Sequence, residues 1–116
     1  VFKSIEDLTI NNNKLVLNLV FNYGTNKEIL HIINKIISNN LELNNDSLKK
    51  NMYLADCPDP DLLIRTGGYQ RLSNFILLNL SYTELYFTKT LWPDLKITEI
   101  IKIINDFENT QRNYGL

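Results

Sequence analysis

Leu62-Leu63-Ile64-Arg65-Thr66-Gly67-Gly68, residues 62–68, reads as a short buried strand that runs directly into a glycine loop. Three successive apolar residues bounded by polar ones have the pattern of a strand covered on both faces, its usual state in a parallel sheet flanked by helices. In open sheets of that kind, ligands bind beyond the carboxyl ends of the strands. At that point this chain carries an arginine, a threonine and two glycines.

The flanking sequence repeats the alternation of strand and helix. Upstream, Leu15-Val16-Leu17-Asn18-Leu19-Val20-Phe21 is nearly continuous in apolar character and predicts another strand covered on both faces. Ahead of it, the first dozen residues run into strand-like sequence without a recognisable beginning, and the chain opens on Val1, which points to a truncated sequence. Thr25-Asn26-Lys27-Glu28 has capping-box spacing, so Thr25 is expected to cap a helix and Glu28 to reach back to it. Ile29, Ile32, Ile33, Ile36 and Ile37 then keep the 3.6-residue period, ending near Ser38. A weaker helix is expected over residues 47–53, before Pro58 and Pro60.

Downstream of the glycines, Ser73-Asn74 ahead of residues 75–80 has the form of a capped helix start. Residues 84–87 predict a third strand, and Trp92-Pro93-Asp94 a turn. From Thr98 a last helix carries Ile100, Ile101, Ile103, Ile104 and Phe107 on a broad apolar face. The fold class is therefore α/β, with a mostly parallel sheet flanked by helices. Three short strands make a small sheet with exposed edges, so further strands, a partner subunit, or both are expected to complete it.

Arg65 and Arg71 offer planar forks suited to phosphate oxygens, the glycines allow close backbone approach, and Ser73 adds a hydroxyl at the expected helix N-terminus. Together they are the right size to hold a diphosphate. The equal alternative is a tight strand-to-helix turn with solvated arginines and an ordinary cap. The loop is neither a Walker A motif nor a dinucleotide fingerprint. Glu84, next to apolar Leu85-Tyr86-Phe87, is a candidate magnesium ligand, because magnesium often takes one or two carboxylates plus substrate phosphates. Its alternative is a strand-end glutamate paired with an arginine.

Composition narrows the classes. Twelve basic and thirteen acidic residues in 116 leave a formal charge of -1, so no net field draws nucleic acid or an anionic membrane surface, and any anion site must be built locally. One cysteine, Cys57, and one histidine, His31, exclude an internal disulfide and a zinc cluster. No apolar run approaches the roughly 20 residues of a membrane span, and a cytoplasmic location is the default expectation. The asparagine clusters are read as compositional bias.

Asp59-Pro60-Asp61-Leu62-Leu63-Ile64-Arg65-Thr66-Gly67-Gly68, Arg71-Leu72-Ser73-Asn74-Phe75, Tyr82-Thr83-Glu84-Leu85-Tyr86-Phe87 and Leu91-Trp92-Pro93-Asp94, in that order and spacing, resemble the C-terminal signature of the cis-prenyltransferases, the undecaprenyl diphosphate synthase family. The resemblance is dense over residues 59–95 and weaker at residues 15–24 and 112–115. It implies that residues 1–116 are the C-terminal part of a single cis-prenyltransferase domain. The whole enzyme would add isopentenyl diphosphate in cis to an allylic diphosphate such as farnesyl diphosphate, using magnesium and working as a homodimer. Carried over by position, Arg65, Arg71, Leu72 and Ser73 would bind isopentenyl diphosphate, and Glu84 would help hold the metal. The product would be a membrane lipid made by a cytoplasmic, membrane-peripheral enzyme without a transmembrane segment.

No catalytic residue is expected in this chain, because the family's catalytic aspartate lies in an upstream Asp-Gly-Asn-Gly-Arg-Trp-Ala motif that does not occur here. Three departures touch the edges of the site: Tyr69 replaces a usual Glu, Thr25-Asn26 a usual Gly-Arg, and Asn113 an Arg. They keep open an alternative, a non-catalytic accessory subunit that retains the fold.

Overall fold

The structure is a computed structural model and describes residues 2–113. Its centre is the predicted strand pair: β1, Leu62–Arg65, lies parallel to β2, Glu84–Phe87, with Leu62 opposite Glu84 and Arg65 opposite Phe87. Four α-helices accompany them: α1 (Phe2–Thr9), α2 (Thr25–Ser38), α3 (Asn45–Lys50) and α4 (Ile97–Glu108). Single 3₁₀ turns cover Leu77–Asn79 and Trp92–Asp94.

Two expectations about the amino-terminal part are corrected. Residues 15–21 are in no strand, and Leu15, Val16, Leu17 and Phe21 are exposed. An apolar run fixes burial preference, whereas a strand exists only when a neighbour takes its backbone hydrogen bonds, and none of the described residues does so here. The stretch before it forms α1, and Phe2 of that helix packs on Phe21 with ring centroids 5.9 Å apart. The smaller helix is also shifted: α3 starts at Asn45, because Asn44 caps it in a reciprocal capping box with Ser47.

Helix α2 has the predicted bounds but a different start. Gly24, not Thr25, is the N-cap and provides no side-chain cap. The Thr25 hydroxyl instead receives the amide of Leu77 at 3.0 Å and donates to the carbonyl of Asn74 at 3.2 Å, while the Thr25 amide donates to that same carbonyl at 2.9 Å. Glu28 does not turn back to the helix end. It is buried and accepts hydrogen bonds from the Tyr23 hydroxyl and from the Tyr53 amide. A tertiary partner outcompetes a local cap when burial would otherwise leave the carboxylate unsatisfied.

Burial of the Tyr23 phenol, and next its hydrogen bond to Glu28, push its pKa above the ordinary tyrosine value. Below about pH 10 the phenol is protonated both folded and unfolded, so its contribution to stability is fully present. Above that value the unfolded chain loses the proton first, and stability falls as pH rises toward the folded pKa. The urea midpoint of the whole protein is expected to drop more steeply above about pH 10 than that of Tyr23→Phe. Parallel slopes in the two proteins would refute this.

The interior is small. Ile32 and Ile36 from α2 and Ile103 from α4 are its buried apolar residues among those described. The broad apolar face expected for α4 is only partly covered: Ile103 is fully buried, while Ile101 and Ile104 are 50% and 40% exposed. Helical periodicity marks which residues share a face, but burial depends on what packs against that face. The entry to the strands is fastened more tightly. Thr83 donates to the Pro60 carbonyl at 2.6 Å, Asn79 donates to Asp59 at 3.1 Å, and Arg112 pairs with Asp61 at 2.7 Å.

Candidate functional site

Arg65 closes β1 and projects into the loop that follows. Its Nη1 donates to the hydroxyl of Ser73 at 3.1 Å and to the carbonyl of Arg71. Those two bonds fold residues 66–73 back toward the strand end and bring the Arg65 guanidinium to the Ser73 hydroxyl and to the backbone of Arg71. Arg71 is exposed, and its guanidinium lies 4.2 Å from the centroid of the Tyr69 ring. Stacking on an aromatic face uses the plane of the guanidinium and leaves its N–H edge free for a ligand. Leu72 between them is half-buried.

Charge accounting favours an anion here. Among the described residues the one ion pair joins Arg112 to Asp61, so no carboxylate neutralises Arg65 or Arg71. An anion at this loop would accept charge-assisted hydrogen bonds from the exposed Arg71 guanidinium. The alternative of a plain strand-to-helix turn loses its main support, since no helix follows the loop.

The loop's backbone plays another part than expected. Gly67 and Gly68 have φ of +89° and +81°, a region closed to most side chains, and their amides donate to the carbonyls of Thr90 at 2.9 Å and Thr88 at 2.8 Å. These N–H groups are therefore committed within the protein. The glycines let the loop reverse and pair with the segment after β2.

Ser73 likewise does not cap a helix. It and Asn74 both have positive φ, 50° and 63°, as does Ile76 at 39°, and only the 3₁₀ turn Leu77–Asn79 follows. The expected helix-dipole contribution is absent because Thr25 and α2 claim the Asn74 carbonyl and the Leu77 amide. A run of left-handed non-glycine residues costs energy, and such strain gathers where the surroundings must hold particular side chains in place.

Glu84 begins β2 opposite Leu62, at the end of the strand pair away from Arg65 and Phe87. Three residues of strand, roughly 10 Å, separate the two levels. Among the described residues its carboxylate meets neither a hydrogen-bond donor nor a cation, so the reading of it as an arginine-paired strand-end glutamate does not hold. Magnesium-type chemistry would need donors from elsewhere, because no group of three or more His, Cys, Asp or Glu is gathered among the described residues. Asn113 is exposed, and the remainder of the weak C-terminal resemblance, residues 114–115, lies outside the described residues.

Sequence reasoning missed two contributors. Tyr69 gave no signal of its own beyond occupying a glutamate position. Glu99, in the first turn of α4, accepts hydrogen bonds from the hydroxyls of Thr88 at 2.6 Å and Thr90 at 3.0 Å, a contact made by tertiary folding that no spacing rule announces.

The prenyltransferase family profile described as "Putative undecaprenyl diphosphate synthase" matches residues 1–115. The isoprenyl transferase of Fusobacterium nucleatum is 43% identical over 114 residues, covering 97% of this chain and 49% of that protein. That of Neisseria gonorrhoeae is 43% identical over 111 residues, covering 95% and 45%. Among solved structures, a probable undecaprenyl diphosphate synthase from Campylobacter jejuni superposes with a TM-score of 0.86 at 38% identity, over 98% of this chain and 54% of its own. Lavandulyl diphosphate synthase from Lavandula x intermedia, solved with dimethylallyl diphosphate, gives 0.88 at 28% identity, over 98% and 52%. The chain thus spans about half the length of the curated relatives it matches. By this near-complete profile match, and by identities above 40%, the chain belongs to the undecaprenyl diphosphate synthase family of prenyltransferases.

Proposed function

We propose that this chain is the C-terminal, isopentenyl-diphosphate-binding part of a single cis-prenyltransferase domain, whose whole enzyme condenses isopentenyl diphosphate in cis onto an allylic diphosphate such as farnesyl diphosphate. The observation that carries the reading is the pair of guanidiniums without carboxylate partners, Arg65 and Arg71, held on one loop with the Ser73 hydroxyl. Arg71 would grip the diphosphate through its free edge. Arg65 would contribute charge while holding the loop closed, Ser73 would offer its hydroxyl, and Leu72 would sit between them. Their work is to fix the homoallylic diphosphate so that its double bond faces the allylic carbon, which is positioning plus charge stabilisation.

Glu84 suits one magnesium position. It is a carboxylate without a protein partner among the described residues, and magnesium accepts a few carboxylates beside waters and phosphates. When bound, the metal would neutralise the departing diphosphate of the allylic substrate. Its remaining protein ligand and the catalytic aspartate would come from the upstream half. Between α1 and residues 15–22 lies an open, mostly apolar groove of about 1300 Å³, which supports a place for the growing isoprenoid chain once the upstream half closes it. No helix of the described residues is long and apolar enough to cross a membrane. The enzyme is expected to meet the lipid product's membrane peripherally, from the cytoplasmic side. The enzyme is expected to act as a homodimer.

The test is a full-length synthase assayed with labelled isopentenyl diphosphate and farnesyl diphosphate. Extension of the allylic primer is expected, and the magnesium concentration for half-maximal rate should rise about tenfold in Glu84→Gln, equivalent to about 1.4 kcal/mol. A full-length protein that folds, pairs and extends nothing would make this chain part of an accessory subunit. A magnesium dependence identical in Glu84→Gln would remove Glu84 from the metal site.

A further inference from the structure

We infer that Glu99 is a positioning residue for the diphosphate loop, acting through Thr88 and Thr90 without touching substrate; the inference rests on the isopentenyl diphosphate site proposed above. One carboxylate of α4 accepts both threonine hydroxyls, Thr88 at 2.6 Å and Thr90 at 3.0 Å. The Thr88 hydroxyl also receives the Thr90 amide at 3.1 Å, so residues 88–90 are locked into one conformation. That conformation aims their carbonyls at the loop. Thr90 accepts the Gly67 amide at 2.9 Å and Thr88 the Gly68 amide at 2.8 Å, while the Thr88 amide returns a bond to the Arg65 carbonyl at 2.9 Å.

These three backbone bonds fasten the reversal at Gly67-Gly68, the two residues with the least steric hindrance to moving. The next three residues are Tyr69, Gln70 and Arg71, all exposed and with little apolar burial to hold them. The placement of Arg71 thus depends on the glycine turn, the turn on residues 88–90, and those on Glu99. Its position in the first turn of α4 also suits a negative charge. A loop that wanders by about 1 Å loses much of the benefit of a positioned charge.

The test compares Glu99→Ala, Glu99→Gln and the Thr88→Val/Thr90→Val pair in the full-length enzyme. Glu99→Ala is expected to raise the KM for isopentenyl diphosphate roughly 2- to 10-fold, the scale of one or two hydrogen bonds. The KM for the allylic diphosphate should stay unchanged. Glutamine, which can still accept one hydroxyl and donate to the other, should restore most of the affinity. Adding Glu99→Ala to the threonine pair should cause little further loss, because the same link is already broken.

Hydrogen exchange provides a readout independent of substrate: the Gly67 and Gly68 amides should exchange faster in Glu99→Ala. Unchanged exchange there, or equal rises in both KM values, would overturn the inference. Arg71→Ala run alongside separates the two layers of argument. If it raises the KM for isopentenyl diphosphate and Glu99→Ala does not, only the role of Glu99 falls. If Arg71→Ala leaves that KM unchanged, the proposed site falls and the substrate role of Glu99 falls with it, even where exchange quickens.

Discussion

Arg71→Ala in the full-length enzyme is expected to raise the KM for isopentenyl diphosphate roughly 10- to 150-fold, with a far smaller change in the KM for the allylic diphosphate. The range follows from losing charge-assisted hydrogen bonds worth about 1.5 to 3 kcal/mol. Arg65 should make up only part of the loss, since its Nη1 is already bonded to the Arg71 carbonyl and to Ser73. Arg71→Lys tests the geometry apart from the charge. Lysine keeps the cation but loses the planar fork and the stack on Tyr69, which lies 4.2 Å away, so it should recover only part of the loss. Steady-state kinetics with both substrates varied is the measurement. Full recovery by lysine would mean that the site senses charge alone. An unchanged KM in the alanine variant would remove Arg71 from it.

What could be read from residues alone, and what could not, divides along the range of the interactions. β1, β2, α2 and α4 were legible because their determinants are local: unbroken apolar runs for the strands and a 3.6-residue spacing of isoleucines for the helices. Residues 15–21 carry an equally strong local signal, yet a parallel strand needs a neighbour, and hydropathy says nothing about whether one is paired. The site shows the same division. The Arg65 guanidinium meets the Ser73 hydroxyl and the Arg71 backbone, because eight residues of tight loop leave few alternatives. The atoms that do the work were read less well. The glycine amides looked available to a ligand and are bonded to Thr88 and Thr90, and Ser73 looked like a helix cap and sits at φ +50°. Each error assigned to a local motif a group that a distant segment had claimed.

Glu28 is the residue at which such a claim matters most for stability, and Glu28→Ala is expected to destabilise the protein by about 2 to 5 kcal/mol. The side chain is 1% exposed, and its carboxylate takes the Tyr53 amide at 2.8 Å as well as the Tyr23 hydroxyl. Alanine would leave the Tyr53 amide without its acceptor and the Tyr23 hydroxyl with only its longer contact to the Thr25 hydroxyl, 3.4 Å, and would open a void beside an aromatic cluster. In that cluster Tyr23 meets Phe75 and Tyr53 edge-on, with centroids 5.6 and 6.2 Å away, and Tyr53 stacks on His31 at 4.7 Å. The damage should spread toward the diphosphate loop, because Thr25 of α2 and Tyr23 just before it contact residues 74–77. Glu28→Gln preserves volume and one acceptor while its amide can donate to the phenol oxygen, so it should cost only about 1 kcal/mol. Urea unfolding of the two variants at neutral pH decides the matter. Equal losses in alanine and glutamine would mean that the negative charge itself stabilises the cluster, whereas a negligible loss in alanine would mean that water takes over both donors and the carboxylate is dispensable to the fold.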